Sequence, residues 1–437
     1  MKFTKMSLVA ALLVGSSAFA IDNIKMSGDA SIFYGTTDAK TGYAGLSDKD
    51  SLFSKDNSAA DAALNLNISA DLAKNDLVSV STGLGYTVLS TLGLENNLVS
   101  NVWGSAHTAT AKTGANYGNI PSVEGAKVEN ANWMNEAWVA VSLNQMSKTT
   151  LKLGRMELDT PLAFTEKWSI EKNTFEAAVV VNQDIPDTTV VAAYVGNGNG
   201  NEAFGENAQS NVQALGLAGA GVVNGDGKFA TFAKNGAYAV GVINNSYKPL
   251  TVQAWYYDLV SLATAYWIQG DLDASTLGVA GLSAGLQYTS TTVGNGDASQ
   301  TAAVMVGYAM KDMFSAKLAY SKTGSKGALW GANTATSTGA SKLYTEAWWN
   351  YGYVTRKSTD AFTLAFDIPV KDIADFTVQY TQADVSAKNQ DLSELALTAS
   401  KSFGPLDATV AYVNAKADDQ NSGDAYNVIQ AYLTLNF

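Results

Sequence analysis

With 437 residues the chain could form about three ordinary soluble domains or one large barrel, and its composition separates the two. Hydrophobic residues make up 46% and charged residues only 16%, where an average soluble protein has roughly 25% charged, so a surface that meets water everywhere is excluded. Apolar residues never gather into the runs of about 20 that span a bilayer as helices, and a net charge of −12 without a basic stripe excludes nucleic acid as a partner.

The first element is a leader. Lys2 and Lys5 precede an apolar run from Met6 to Gly15, and Ser16-Ser17-Ala18-Phe19-Ala20 forms a small-residue cleavage site. Residues 1–20 therefore read as a secretory signal peptide and 21–437 as a single domain. Cleavage after Ala20 would remove two lysines and carry the net charge from −12 to −14.

From residue 24 onward, segments of about ten residues alternate apolar and polar side chains, the period of a strand with two different faces. Strands are expected at 24–36, 62–73, 77–88, 132–144, 148–156, 174–182, 188–196, 236–247, 249–258, 260–270, 277–289, 300–310, 313–322, 360–368, 373–383, 392–403, 407–416 and 425–437. That makes 18, and Tyr344 to Tyr353 could be argued to be a nineteenth. Tight turns at 74–76, 144–147, 184–187, 248–249, 271–275, 311–312, 369–372 and 404–405 take turns with longer connections at 37–61, 89–131, 157–173, 197–235, 290–299, 323–359, 384–391 and 417–424. This is the layout of an outer-membrane barrel, with short periplasmic turns and long outer loops. Pro186, Pro249, Pro369 and Pro405 fall at the tight turns and Pro121 and Pro161 in long loops, so no proline interrupts a strand. The fold class is all-β: an 18-stranded antiparallel transmembrane β-barrel in the Gram-negative outer membrane, reached through the periplasm. A secreted β-helix or sandwich would share the alternation, but not the alternating turn lengths and the terminal aromatic strand.

A wall of 18 strands is too wide to be filled by its own side chains, so function falls to whatever narrows the lumen. The densest charges of both signs are Lys148, Lys152, Arg155, Glu157, Asp159, Glu166, Lys167, Glu171, Lys172 and Glu176, on 157–173 and its flanking strands. They are the expected pore constriction. Parity sends Lys148 and Lys152 inward if Leu151 and Leu153 face lipid. It sends Glu176 and Asn182 inward if Phe175, Ala177, Val179 and Val181 do. Arg155 would then face outward, so a break or bulge at Gly154 is expected to swing it inside.

The stretch Leu151-Lys152-Leu153-Gly154-Arg155-Met156-Glu157-Leu158-Asp159-Thr160-Pro161-Leu162, followed by Asn173-Thr174-Phe175-Glu176, resembles the G-R-x-x-L-D-T-P-L and N-T-F-E pattern of the OprD-type outer-membrane porins. Leader, length, loop layout and the terminal Phe437 resemble the branch formed by the major porins of Campylobacter-type bacteria. The resemblance implies a water-filled diffusion channel, a homotrimer, and a third and seventh long loop folded into the lumen, here 157–173 and 323–359. Carboxylate-selective members carry a ladder of basic residues along one wall. Here Lys148, Lys152, Arg155, Lys167 and Lys172 stand against an excess of acid, so weak to moderate cation preference is expected, for ions and small hydrophilic solutes.

Two other functional classes make different demands on the chain. An adhesin or structural barrel would use the long loops and keep the lumen closed. An outer-membrane phospholipase or protease with an imidazole-dependent mechanism would have only His107, in a polar stretch, to use, while cysteine is absent. No cofactor is expected. Asn197 to Glu202 and Asn224-Gly225-Asp226-Gly227 lack the ligand spacing of a calcium loop, which leaves calcium on eyelet carboxylates as the one metal role open. Trp348-Trp349 with Tyr344, Tyr351 and Tyr353 suits packing of the seventh loop inside the barrel, a membrane girdle or a trimer contact.

Overall fold

The computed structural model describes residues 21–39, 51–53, 58–90, 131–167, 171–200, 229–233, 235–327, 331–335, 340–386 and 390–437. The expected leader, His107, Asn224-Gly225-Asp226-Gly227 and most of 89–131 and 197–235 lie outside the described residues.

The strands are β1 (Asp22–Thr37), β2 (Ser58–Lys74), β3 (Val78–Ser90), β4 (Ala131–Leu143), β5 (Thr149–Met156), β6 (Phe175–Asn182) and β7 (Thr188–Gly198). A two-residue strand, β8 (Ala230–Thr231), precedes β9 (Ala237–Asn244), β10 (Leu250–Leu259), β11 (Ala263–Asp273), β12 (Leu282–Val293) and β13 (Ser299–Met310). The last six are β14 (Phe314–Thr323), β15 (Thr359–Val370), β16 (Ala374–Val385), β17 (Leu392–Phe403), β18 (Leu406–Ala417) and β19 (Tyr426–Asn436). All pairings are antiparallel. β8 touches only the end of β7, through Asn197↔Thr231 and Gly198↔Ala230, and β7 pairs directly with β9. The remaining 18 strands form the wall.

Closure follows from β1 pairing with both β2 and β19. Gly28 and Phe437 exchange backbone hydrogen bonds of 2.8 and 3.0 Å at the seam. A closed sheet leaves no open edge, which hydrocarbon would not tolerate.

Alternation assigns the two faces of the wall. In β19 Leu433, Leu435 and Phe437 are exposed on the outer surface while Tyr426, Val428 and Gln430 are buried inside. In β9 Tyr238, Val240 and Val242 point out, and Ala237 and Ala239 point in. Outward rings gather toward the two ends of the wall: Tyr194 with Tyr238 (centroids 4.9 Å apart) and Tyr256 with Tyr266 (5.1 Å) toward the long loops, and Tyr308 with Phe314 (6.3 Å) at the tight turns. An apolar belt flanked by aromatic rows is the outer surface of a transmembrane β-barrel.

Three elements depart from expectation. β11 and β12 begin three and five residues later than the periodicity places them. Ser261, at φ +62°, turns the chain sharply after β10, and a 3-10 turn at Ala274–Leu277 closed by Gly278 (φ +90°) precedes β12. Residues 344–353 form no strand. They run as turns into a 3-10 segment at Tyr353–Thr355, inside the barrel.

Candidate functional site: a constriction built from two inward loops

The loop after β5 doubles back on itself. Thr165 N donates to Leu158 O (2.7 Å) and Thr160 N to Ala163 O (3.2 Å), while Asp159↔Phe164 and Lys167↔Lys172 pair as isolated bridges. Its apolar tip enters the lumen: Leu162 and Ala163 are buried, and the amide of Leu162 donates to the Tyr257 hydroxyl on the inner face of β10 (3.3 Å). Met156, Phe175, Phe232 and Leu162 belong to one buried cluster with Trp255 and Trp267. Burying this tip against the wall is what turns the loop inward.

The loop after β14 lies along the opposite arc. Gln287 of β12 accepts from Tyr344 N (3.0 Å) and donates to Lys342 O (2.8 Å). Glu394 of β17 accepts from the amides of Trp349 and Asn350 (2.8 Å each), and Thr323 of β14 donates to Val354 O (3.1 Å). Trp348 and Trp349 pack against buried Tyr426 and Val428 of β19, which settles the aromatic cluster as loop packing.

Asn333 joins the two loops. It accepts from Phe164 N (3.1 Å) and donates to Phe164 O (2.9 Å) and Glu166 Oε1 (2.7 Å). Thr334 N donates to Leu162 O (2.9 Å), and Lys342 pairs with Asp159 while lying over the Phe164 ring. The constriction is therefore framed from both sides.

Most of the expected residues converge there. Lys172 pairs with Glu157 and, at 3.3 Å, with Glu136. Burial pulls the Lys172 ammonium down, and the carboxylates of Glu157 and Glu136 overcome this and hold it above the usual lysine range. Lys152 points inward as expected, its Nζ 4.2 Å from the centroid of Trp138, and Trp138 Nε1 donates to Glu136 (3.2 Å). Asp159 is exposed toward the lumen and Lys167 lies exposed on the loop. Glu166 is buried at the Asn333 joint, and Glu171 is buried against β2, where Asn65 Nδ2 donates to it (3.3 Å).

Three expected members stand elsewhere. Lys148 lies exposed at the tight turn before β5, where its amide donates to Asp184 (2.6 Å). Arg155 stays outward. Its cross-strand partner is Glu176 (2.8 Å), and it also donates to Met134 O (2.9 Å) on the face that carries exposed Leu153. The bulge expected to free it does not form: Gly154 adopts φ +122°, yet pairing across it is continuous on both sides. Glu176 is outward because the odd-numbered face of β6, Phe175 and Ala177, is turned into the loop-packed core. Asn182 sits at the tight-turn end, donating to Thr149 Oγ1 (2.8 Å).

Sequence reasoning missed Glu136, Lys342 and Asn333. Glu136 was hidden by a bulge: Gly85 pairs with Glu136 and Tyr86 with Met134, so the extra residue Asn135 resets the parity of β4. Lys342 and Asn333 sit in a loop without periodicity. The resemblance of 323–359 to an inward loop was the only signal that could have pointed to them. Among the described residues no group of three or more His, Cys, Asp or Glu side chains converges as a metal would require.

A closed barrel of 18 antiparallel strands, narrowed by two loops that bring charges of both signs into its lumen, defines an architectural class, the transmembrane β-barrels. No family model matches this chain, and no curated protein matches it in sequence. Among solved structures it is similar to Pseudomonas aeruginosa OccK9 (OpdG), with a TM-score of 0.68 at 12% identity over 96% of this chain and 100% of that one. It is also similar to P. aeruginosa OccK2 (OpdF), solved in complex with glucuronate (TM-score 0.65, 12% identity, 95% and 98% covered), and to P. aeruginosa OpdK with vanillate (0.64, 10%, 95% and 99%). At these identities the likeness establishes the fold alone, a closed 18-stranded antiparallel β-barrel.

Proposed function

We propose that this protein is an outer-membrane porin: a water-filled diffusion channel for ions and small hydrophilic solutes with a weak to moderate preference for cations. The observation that carries the reading is the frame of two anchored loops around Lys152, Lys172, Lys342, Glu136, Glu157 and Asp159. A barrel meant only to display its outer loops has no need of such a frame. Two of the fold's neighbours were solved with glucuronate and vanillate, both small organic solutes, which supports a solute channel.

The cation preference rests on charge. The constriction lysines lie beside carboxylates, and the chain as a whole carries −12. Solutes are sorted by size and charge without catalysis or cofactor. Within the OprD-type porins the leader, length, loop layout and terminal Phe437 favour the Campylobacter-type branch, with export through the periplasm and a trimeric assembly.

The test is single-channel recording of purified protein in a planar bilayer, with reversal potentials under a KCl gradient. Steady open steps and a potential of the sign that favours potassium are expected. A barrel that inserts and stays silent, or one that prefers chloride, overturns the reading.

A further inference from the structure

Glu171 is the most deeply buried acid of the constriction loop, at 1% exposure. It sits where the outgoing limb of that loop meets β1 to β4. Its Oε1 receives one hydrogen bond, from Asn65 Nδ2 at 3.3 Å, and the same nitrogen lies 3.3 Å from Asp29 Oδ2. Its Oε2 is buried with no partner.

The one other donor in reach of Glu171, the Thr87 hydroxyl, is shared with a neighbouring chain of side chains. The Thr87 hydroxyl donates to Asn65 Oδ1 (2.6 Å), and Asn135 Nδ2 donates to Thr87 (2.8 Å). An ionised carboxylate would therefore have one long hydrogen bond, from an amide that also donates to a second acid, and a hydroxyl already committed to Asn65, with its Oε2 bare in a buried space. That is the arrangement least able to stabilise negative charge. The neutral acid fits. Its hydroxyl needs an acceptor, and Asn135 Oδ1, in the same Asn65–Thr87–Asn135 chain, is likewise buried without a partner. The neighbouring Thr174 donates to Asn135 O (2.7 Å) and continues the limb along the same wall.

We propose that Glu171 is the positioning residue that seats residues 171–174 on the barrel wall, that it does so as the neutral acid, and that its ionisation releases this limb and widens the constriction. The inference rests on the channel reading above and adds a regulator to it.

Among the described residues, the charged groups that face Glu171 are Asp29 from β1 and Lys167 from its own loop. β2, β3 and β4 present Asn65, Thr87 and Asn135, and Lys172 is turned toward Glu136 and Glu157. Burial, opposed by the Asn65 hydrogen bond, reinforced by Asp29 and opposed further by Lys167 and Thr87, pushes the Glu171 carboxyl up from 4.5 to about 8. The direction of the effect follows. The free carboxyl loses its proton near 4.5, so the seating is fully favoured below that pH, weakens above it, and is lost as pH rises through about 8.

The experiment compares wild type with Glu171→Gln and Glu171→Ala in planar bilayers between about pH 6 and about pH 10. Wild type is expected to show a rise in open conductance centred near pH 8. Glu171→Gln, whose neutral amide can still accept from Asn65, should hold the low conductance throughout. Glu171→Ala should show the high conductance throughout. The chain lacks cysteine, so Thr174→Cys gives a reading independent of current. Its labelling rate, corrected with a free thiol, should rise through the same pH range in the wild-type background and stay slow beside Glu171→Gln. A pH-independent labelling rate in the wild-type background, or a step that survives in Glu171→Gln, overturns the proposal. A barrel that never conducts would sink the channel reading alone, since labelling still reports the limb.

Discussion

Both oxygens of Glu394 are engaged by the backbone of a loop whose nearest residue lies 44 positions away: Trp349 N donates to one, and Asn350 N and Nδ2 to the other. A buried amide deprived of its acceptor costs about 1–3 kcal/mol. Glu394→Ala should therefore lower the thermal midpoint of the barrel and add low-frequency noise to its open current, read by circular dichroism and single-channel recording. Glu394→Gln keeps one acceptor and should show a smaller change in both. No pattern in β17 marks Glu394 as a loop anchor, because alternation says only that its side chain points inward. Arg155 and Glu176 show the opposite problem. Parity puts Glu176 inside and Arg155 outside, yet the two pair across adjacent strands on one face, because which face is lipid depends on where the loop's apolar residues are buried. Phe175 and Ala177 look like lipid contacts until Leu162 and Met156 are seen packed with them inside.

At the scale of elements, the alternation of tight and long connections was legible because it follows from composition along the chain. All 18 wall strands were found, with the largest error, five residues, where a 3-10 turn delays the start of β12. The docking of the two loops was not legible, because it depends on pairs such as Asn333 with Phe164, 169 residues apart. Those contacts also decide what holds the constriction together. The Lys342–Asp159 pair is largely exposed, and such pairs contribute about 0–1 kcal/mol. Asn333 makes three buried hydrogen bonds to the other loop, each worth about 0.5–1.5 kcal/mol net. Asn333→Ala should accordingly increase current fluctuations and lower the thermal midpoint, whereas Lys342→Met should leave the midpoint unchanged. Equal effects of the two variants would mean that the ion pair, and not the amide, couples the loops.

For the whole molecule, the division between inner and outer charges gives a prediction that the linear sequence does not. Glu157 and Asp159 face the lumen beside Lys172 and Lys342, while Glu176 lies on the outer wall beside Arg155. An ion in the lumen responds to fixed charges within about a Debye length, which is about 10 Å at 0.1 M salt and about 3 Å at 1 M. Neutralising Glu157 and Asp159 together removes two negative charges from the path and leaves Lys172 and Lys342 under-compensated. Glu157→Gln with Asp159→Asn should move the reversal potential under a KCl gradient toward chloride, most clearly at low salt, with the shift shrinking as salt is raised. Glu176→Gln should leave it where wild type stands, since the charge it removes is paired on the far side of the wall. A larger shift from Glu176→Gln than from the double variant would show that β6 presents its other face to the lumen, and with it that the apolar face of that strand meets lipid after all.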